Sequence, residues 1–137
     1  MNKLFKIATW NVNSLRVRLD HVLSWLSSNQ PDVLALQETK VEDPYFPEEP
    51  FKAAGYHVLF NGQKTYNGVV LISRSPMQHL LTAFPKFDDP QRRILMANLA
   101  SLRIVNIYVP NGASLDSEKY TYKLRWLKQL KAYLEQE

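Results

Sequence analysis

The sequence predicts a mixed α/β sheet with flanking helices, and three observations carry that prediction. Two segments, near 16–28 and 117–136, repeat apolar residues at helical spacing. A run at 33–37 is apolar without interruption, as in a strand buried on both faces. From Tyr56 onward the period changes to two, broken by short turns. The order β-α-β-α followed by an antiparallel run belongs to a mixed sheet with helices.

Taken in order, Leu4, Ala8 and Trp10 place a first strand over 4–10. Leu19, Val22, Leu23 and Leu26 follow i, i+3, i+4, i+7, and Asn29-Gln30-Pro31-Asp32 stops that helix. Val33-Leu34-Ala35-Leu36-Gln37 is the second strand. Prolines and acids at 43–50 read as a loop entering a short helix near 48–54, which Gly55 ends. Strands are expected near 56–60, 68–74, 77–82, 94–100 and 102–109, with turns at Asn61-Gly62, Asn67-Gly68 and Ser75-Pro76. The last helix places Leu124, Leu127, Leu130 and Leu134 on one face.

A chain of 137 residues with 45% hydrophobic residues fits one domain with a buried core. There is no cysteine, which removes disulfides, thiolate zinc sites and a cysteine nucleophile and is compatible with a reducing cytoplasm. No apolar run reaches the roughly 20 residues of a membrane span, and the amino terminus has no signal-peptide pattern. The net charge of +4 leans only weakly toward a polyanionic partner. The cations Arg16, Arg18, Lys40, Arg92, Arg93, Lys119 and Lys123 lie beside motif-like loops.

Glu38 follows the apolar strand and is presented at a sheet rim, where open α/β folds place their sites. A hard cation such as Mg²⁺ takes one or two carboxylates from protein. Asn11 ends the first strand in Trp10-Asn11-Val12-Asn13 and can orient a carboxylate or water. Tyr108 closes a strand before Val109-Pro110-Asn111-Gly112. Its hydroxyl can donate to a phosphate oxygen, or ionise in cationic surroundings. Arg92 and Arg93 suit bidentate phosphate contacts. Tyr66-Asn67-Gly68 is a turn whose aromatic can pack on a sugar or base. Each position alone also fits an ordinary role: a capping glutamate, an Asx-turn, a strand aromatic, a surface basic pair, a hairpin turn. His21, His57 and His79 have no carboxylate at triad-like spacing and read as structural.

In combination and order, these segments resemble the exonuclease III-type apurinic/apyrimidinic endonucleases of the endonuclease/exonuclease/phosphatase superfamily. The matching stretches are Trp-Asn-Val-Asn-Ser-Leu-Arg from Trp10, Pro-Asp-Val-Leu-Ala-Leu-Gln-Glu-Thr-Lys from Pro31, Tyr66-Asn67-Gly68-Val69, Gln91-Arg92-Arg93, Tyr108-Val109-Pro110-Asn111-Gly112, and Lys119 to Lys123 with Trp126. The resemblance implies one half of a four-layered α/β sandwich of the deoxyribonuclease I-like type, with residues 1–137 as the amino-terminal half. It implies Glu38 as the Mg²⁺ (or Mn²⁺) carboxylate, Asn11 as the amide supporting that metal site, and Tyr108 as the tyrosine at the scissile phosphate. Arg92, Arg93, Lys40, Tyr66, Asn67 and Gly68 become DNA contacts. The implied activity is DNA-repair phosphodiester hydrolysis, 5′ to abasic sites and at 3′ ends of double-stranded DNA.

The family's Gly-Asp-x-Asn and Ser-Asp-His motifs do not occur here. The 137 residues alone are therefore expected to be largely inactive. Strands 33–37 and 69–72 are expected to leave an apolar face for self-association. Two other readings stand beside this one: a superfamily phosphodiesterase acting on RNA, inositol phosphates or sphingomyelin, and a non-catalytic nucleic-acid-binding or assembly module.

Overall fold

A computed structural model describes residues 4–136. In chain order the elements are β1 (Ile7–Asn11), α1 (Leu15–Asn29), β2 (Val33–Gln37), a single 3-10 turn (Asp43–Tyr45), α2 (Glu49–Ala53), β3 (His57–Asn61), β4 (Val69–Ser73), β5 (Gln78–Leu81), β6 (Ile94–Leu99), β7 (Leu102–Ile107) and α3 (Glu118–Glu135).

The strands form two sheets. The first has the order β1-β2-β4-β3, with β1 and β2 parallel and the other pairs antiparallel. A parallel pair needs a crossover, and α1 supplies it. α1 stops where Gln30 turns left-handed and donates its N–H to the Leu26 carbonyl at 2.9 Å, just before Pro31. The second sheet is antiparallel, β5-β6-β7.

Side-chain alternation explains the stacking. Leu34, Leu36, Val70 and Ile72 face one way and pack with Leu15, Val22 and Leu26 of α1 and Phe51 of α2. Val33, Ala35, Val69 and Leu71 face the other way and pack with Leu95, Ala97, Leu99 and Ile104 of the second sheet. The outer face of that sheet receives α3, through Ile94, Phe84 and Trp126. Four layers result: helices, sheet, sheet, helix. Fully burying one leucine or phenylalanine of this kind stabilises by about 1.5–3 kcal/mol.

The mixed sheet with flanking helices is found, and α1 buries the predicted stripe. Three expectations need correction. Residues 78–107 fold back as a sheet of their own. The apolar face of β2 and β4 is therefore not left open. Every residue of both strands is buried, covered by this chain's own second sheet. The first strand starts at Ile7, and Leu4 is 85% exposed because it lies outside the pairing with β2. On α3, Leu124 and Leu134 are exposed. The packed side holds Leu127 and Leu130 together with Tyr122, Trp126 and Tyr133, so aromatics take part of the space the other two leucines were expected to fill. The open apolar surface lies elsewhere, along edge strand β1, where Ile7 is 58% exposed, and the neighbouring edge of β7.

Candidate functional site

One end of the sandwich collects the loops that carry the polar motifs. β1, β2 and β7 finish there, while β4 and β6 begin there. Backbone hydrogen bonds join these loops in series. Val12, Ser14 and Leu15 N–H groups bond the carbonyls of Gln37, Glu38 and Thr39 at 3.0, 2.8 and 2.9 Å. Lys40 N–H bonds the Asn67 carbonyl at 2.9 Å, Gly68 N–H the Arg92 carbonyl at 2.9 Å, and Tyr108 N–H the Arg93 carbonyl at 2.8 Å. Asn13, Ser14, Glu38, Lys40 and Asn67 all have positive φ, between 45° and 88°. Each such non-glycine residue stores on the order of 1 kcal/mol or more, a cost that concentrates at functional loops.

Beneath the rim, two buried amides lock the sheets together. Gln37 Nε2 donates to Thr9 Oγ1 at 2.8 Å and to Asn106 Oδ1 at 2.9 Å. Asn106 Nδ2 donates to the carbonyls of Leu36 at 3.0 Å and Val70 at 2.8 Å. Gln37 precedes Glu38, and Asn106 stands two residues before Tyr108. The pair fixes the spacing of the strands that present both groups. Neither was singled out as a site residue, although a polar side chain ending an otherwise apolar strand is a readable signal.

The rim places Asn11, Glu38, Lys40, Arg93 and Tyr108 together. Asn11 Nδ2 donates to Glu38 Oε2, and Asn11 Oδ1 accepts the Asn13 N–H at 3.1 Å. Lys40 Nζ lies 3.6 Å from Glu38 Oε1 and donates to Asn13 Oδ1 at 2.6 Å. The Glu38 side chain keeps 23% of its surface exposed. Tyr108 lies beside the Glu38 carboxylate, and the Arg93 guanidinium stacks 4.8 Å from its ring centroid. Burial and the Glu38 charge push the Tyr108 hydroxyl above its usual range, with Arg93 pulling the other way. The sequence allowed this phenol to ionise in cationic surroundings. In the fold, burial and a neighbouring carboxylate outweigh the arginine, so the hydroxyl stays a neutral donor.

The remaining candidates diverge. Arg92 points away from Tyr108 and donates from Nη1 to Asn61 Oδ1 at 3.3 Å. Adjacent residues entering a strand point to opposite sides. Tyr66 is exposed, but Asn67 is buried and donates to Gln63 Oε1 at 3.0 Å, which pins the loop. Gly68 has φ +94°, and a Cβ there would stand 2.2 Å from Thr39 Oγ1. Its conformation holds the Tyr66 loop against the Glu38 loop. Gly68→Ala is expected to destabilise the fold by about 2 kcal/mol or more, combining backbone strain with a clash. Gly55→Ala shares a positive φ but meets nothing within 4 Å, so it is expected to cost less. Thermal denaturation of both variants checks the order. His21, His57 and His79 are exposed and remote from the rim motifs.

Among the described residues, no three His, Cys, Asp or Glu side chains cluster in a way that could hold a metal. Glu38 stands as a lone carboxylate with hydrogen-bonded, partly accessible oxygens. This donor set is hard and oxygen-based, and it fits an ion that keeps most of its waters, as Mg²⁺ does.

The chain belongs to the Endonuclease/Exonuclease/phosphatase family, whose match covers residues 8–137. It is 38% identical to the exodeoxyribonuclease III of Haemophilus influenzae, over 96% of this chain and 52% of that protein. It superimposes on an AP endonuclease from Archaeoglobus fulgidus with a TM-score of 0.94 and 45% identity, covering 97% of this chain and 52% of the other. A 3′ phosphatase from Neisseria bound to a product DNA hairpin gives 0.93 and 45%, over 96% and 51%. The chain thus spans about half the length of the relatives it matches.

Proposed function

We propose that this chain is the amino-terminal half of an exonuclease III-type DNA-repair phosphodiesterase, hydrolysing DNA 5′ to abasic sites and at 3′ ends with Mg²⁺ or Mn²⁺. The observation that carries the reading is the convergence of Asn11, Glu38, Tyr108 and Arg93 on one rim. The names of the relatives support DNA as the substrate. The cysteine-free composition suits a reducing cytoplasm, and no helix among the described residues is long and apolar enough to cross a membrane.

In this reading Glu38 holds the divalent ion and Asn11 orients its carboxylate. Such an ion would offset charge on the phosphate and leaving oxygen. Tyr108 donates its hydroxyl to a phosphate oxygen, and Arg93 adds a cation fixed beside it. Lys40, Arg92 and the Tyr66–Gly68 loop flank the rim as backbone contacts. The Asn67 side chain serves there by shaping the loop, since it is turned inward. A nucleophilic water also needs a base, and Glu38 is already engaged. That base belongs to the remainder of a full-length enzyme. The strip along β1 and β7 is where such a remainder, or a second copy, would cover Ile7.

Arg93→Ala is expected to weaken DNA binding by this chain equally for all sequences and to lower the slope of log K against log salt by about one. Fluorescence anisotropy across a salt series measures it. A changed sequence preference at constant slope would point to base reading. The reading as a whole is tested by joining the chain to a carboxyl-terminal half from a relative. Hydrolysis of an abasic duplex is then compared with RNA, inositol phosphates and sphingomyelin. Salt-dependent binding of abasic DNA without cleavage in the joined protein would instead favour a binding module.

A further inference from the structure

Behind the rim, a residue of α3 reaches the same arginine. The Tyr122 hydroxyl donates to Asp89 Oδ2 at 2.5 Å, and Asp89 Oδ1 accepts the Gln91 N–H at 3.0 Å. Gln91 Oε1 in turn accepts from Arg93 Nε at 2.9 Å, and Arg93 Nη1 donates to the Tyr108 carbonyl at 3.2 Å. The guanidinium lies 5.6 Å from the Tyr122 ring centroid and 4.8 Å from that of Tyr108, so two tyrosines flank it. The contacts run from Asp89 through Tyr122 and Gln91 to Arg93 and on to Tyr108, from the last helix to the rim.

We propose that Tyr122, anchored by Asp89, is a positioning residue: it fixes the Arg93 guanidinium against Tyr108 and so presets the geometry of the rim. Three observations support this. Burial and the Asp89 carboxylate push the Tyr122 hydroxyl well above the usual phenol range, so at neutral pH it is always a donor to Asp89. Asp89 spends its oxygens on the Gln91 N–H and this hydroxyl, which ties the 89–93 loop to α3. A free arginine side chain carries about 2 kcal/mol of rotamer entropy, and a guanidinium held in advance binds an anion without losing it again. α3 itself is seated by Trp126, fully buried against Phe84, so the anchor rests on a packed element.

The consequence for DNA rests on the function proposed above; the geometry of Arg93 does not. The test therefore has two arms, both on the 137-residue chain. In the first, the Arg93 Nε–Hε resonance is followed by NMR, assigned by its loss in Arg93→Lys. Tyr122→Phe keeps the ring and removes only the anchor, and Asp89→Asn removes the carboxylate charge. Both are expected to move the resonance toward an unstructured arginine while circular dichroism stays native. A resonance unmoved in both variants would overturn the proposal. In the second arm, Tyr122→Phe is expected to weaken abasic-duplex affinity about three- to tenfold, the range for one lost hydrogen bond. In an Arg93→Ala background the same change is expected to have less than about a twofold effect, because coupled residues are not additive. Equal losses in both backgrounds would also overturn it. If the unmodified chain fails to bind the duplex, the DNA reading falls and the resonance alone decides.

Discussion

Glu38→Ala is expected to lower Mg²⁺-dependent hydrolysis of an abasic duplex at least about 10²–10³-fold in a full-length enzyme carrying this half, the usual effect of removing one pre-set electrostatic group. The expectation follows from how the carboxylate is held. β2 delivers it to the rim, its own carbonyl is tied to the Ser14 N–H at 2.8 Å, and Asn11 clasps one oxygen. It lies at φ +57°, so the backbone is committed to showing this side chain at the rim. The candidates that could substitute for it are neutral or cationic: Asn11, Asn13, Lys40, Arg93 and a protonated Tyr108. Glu38→Gln keeps volume and removes charge, and it is expected to match the alanine variant. Single-turnover rates across a Mg²⁺ series measure both. Full activity at any Mg²⁺ concentration would remove Glu38 from the metal site.

The second large effect concerns the 137 residues on their own. They are expected to cleave DNA about 10²–10⁴-fold or more below a full-length relative, the loss associated with one missing proton-transfer group. Water must be activated opposite the leaving oxygen, and the carboxylates near the rim are committed. Glu38 is held by Asn11 with Lys40 beside it, and Asp89 is held by Tyr122 and the Gln91 N–H. Size-exclusion chromatography with light scattering belongs beside this assay, because the β1–β7 strip exposes Ile7. A second copy covering it would raise the apparent mass without supplying the base. Turnover by a clean monomer at a full enzyme's rate would show that these residues suffice.

The legible parts of the fold were those fixed by local periodicity. Val22 and Leu26 are buried where the helical stripe put them, and the apolar runs of β2 and β4 are buried on both faces. What covers them was not legible, because packing of the second sheet is set by long-range contacts such as Ala35 against Ala97, which leave no mark on either segment. The same holds for α3. Leu127 and Leu130 pack as its leucine stripe suggested, but Trp126 and Tyr133 fill the space around Phe84, and Leu124 and Leu134 are exposed. At the site, motif order brought Asn11, Glu38, Arg93 and Tyr108 to one rim. It could not separate Arg92 from Arg93, since only the strand's alternation sends one to Asn61 and the other to Tyr108. Gln37, Asn106 and the Tyr122–Asp89 anchor act through tertiary hydrogen bonds spanning 69, 70 and 33 positions in sequence, beyond any local pattern.

If Glu38 organises the rim as a metal-binding wall, as proposed, Mn²⁺ binding tests it most directly. Electron paramagnetic resonance counts free Mn²⁺ against the 137-residue chain and its Glu38→Gln variant at low ionic strength. The expected result is one saturable site that Mg²⁺ displaces, weakened at least about tenfold in the variant, as loss of a sole charged ligand requires. Equal binding by both proteins, or none by either, would contradict it.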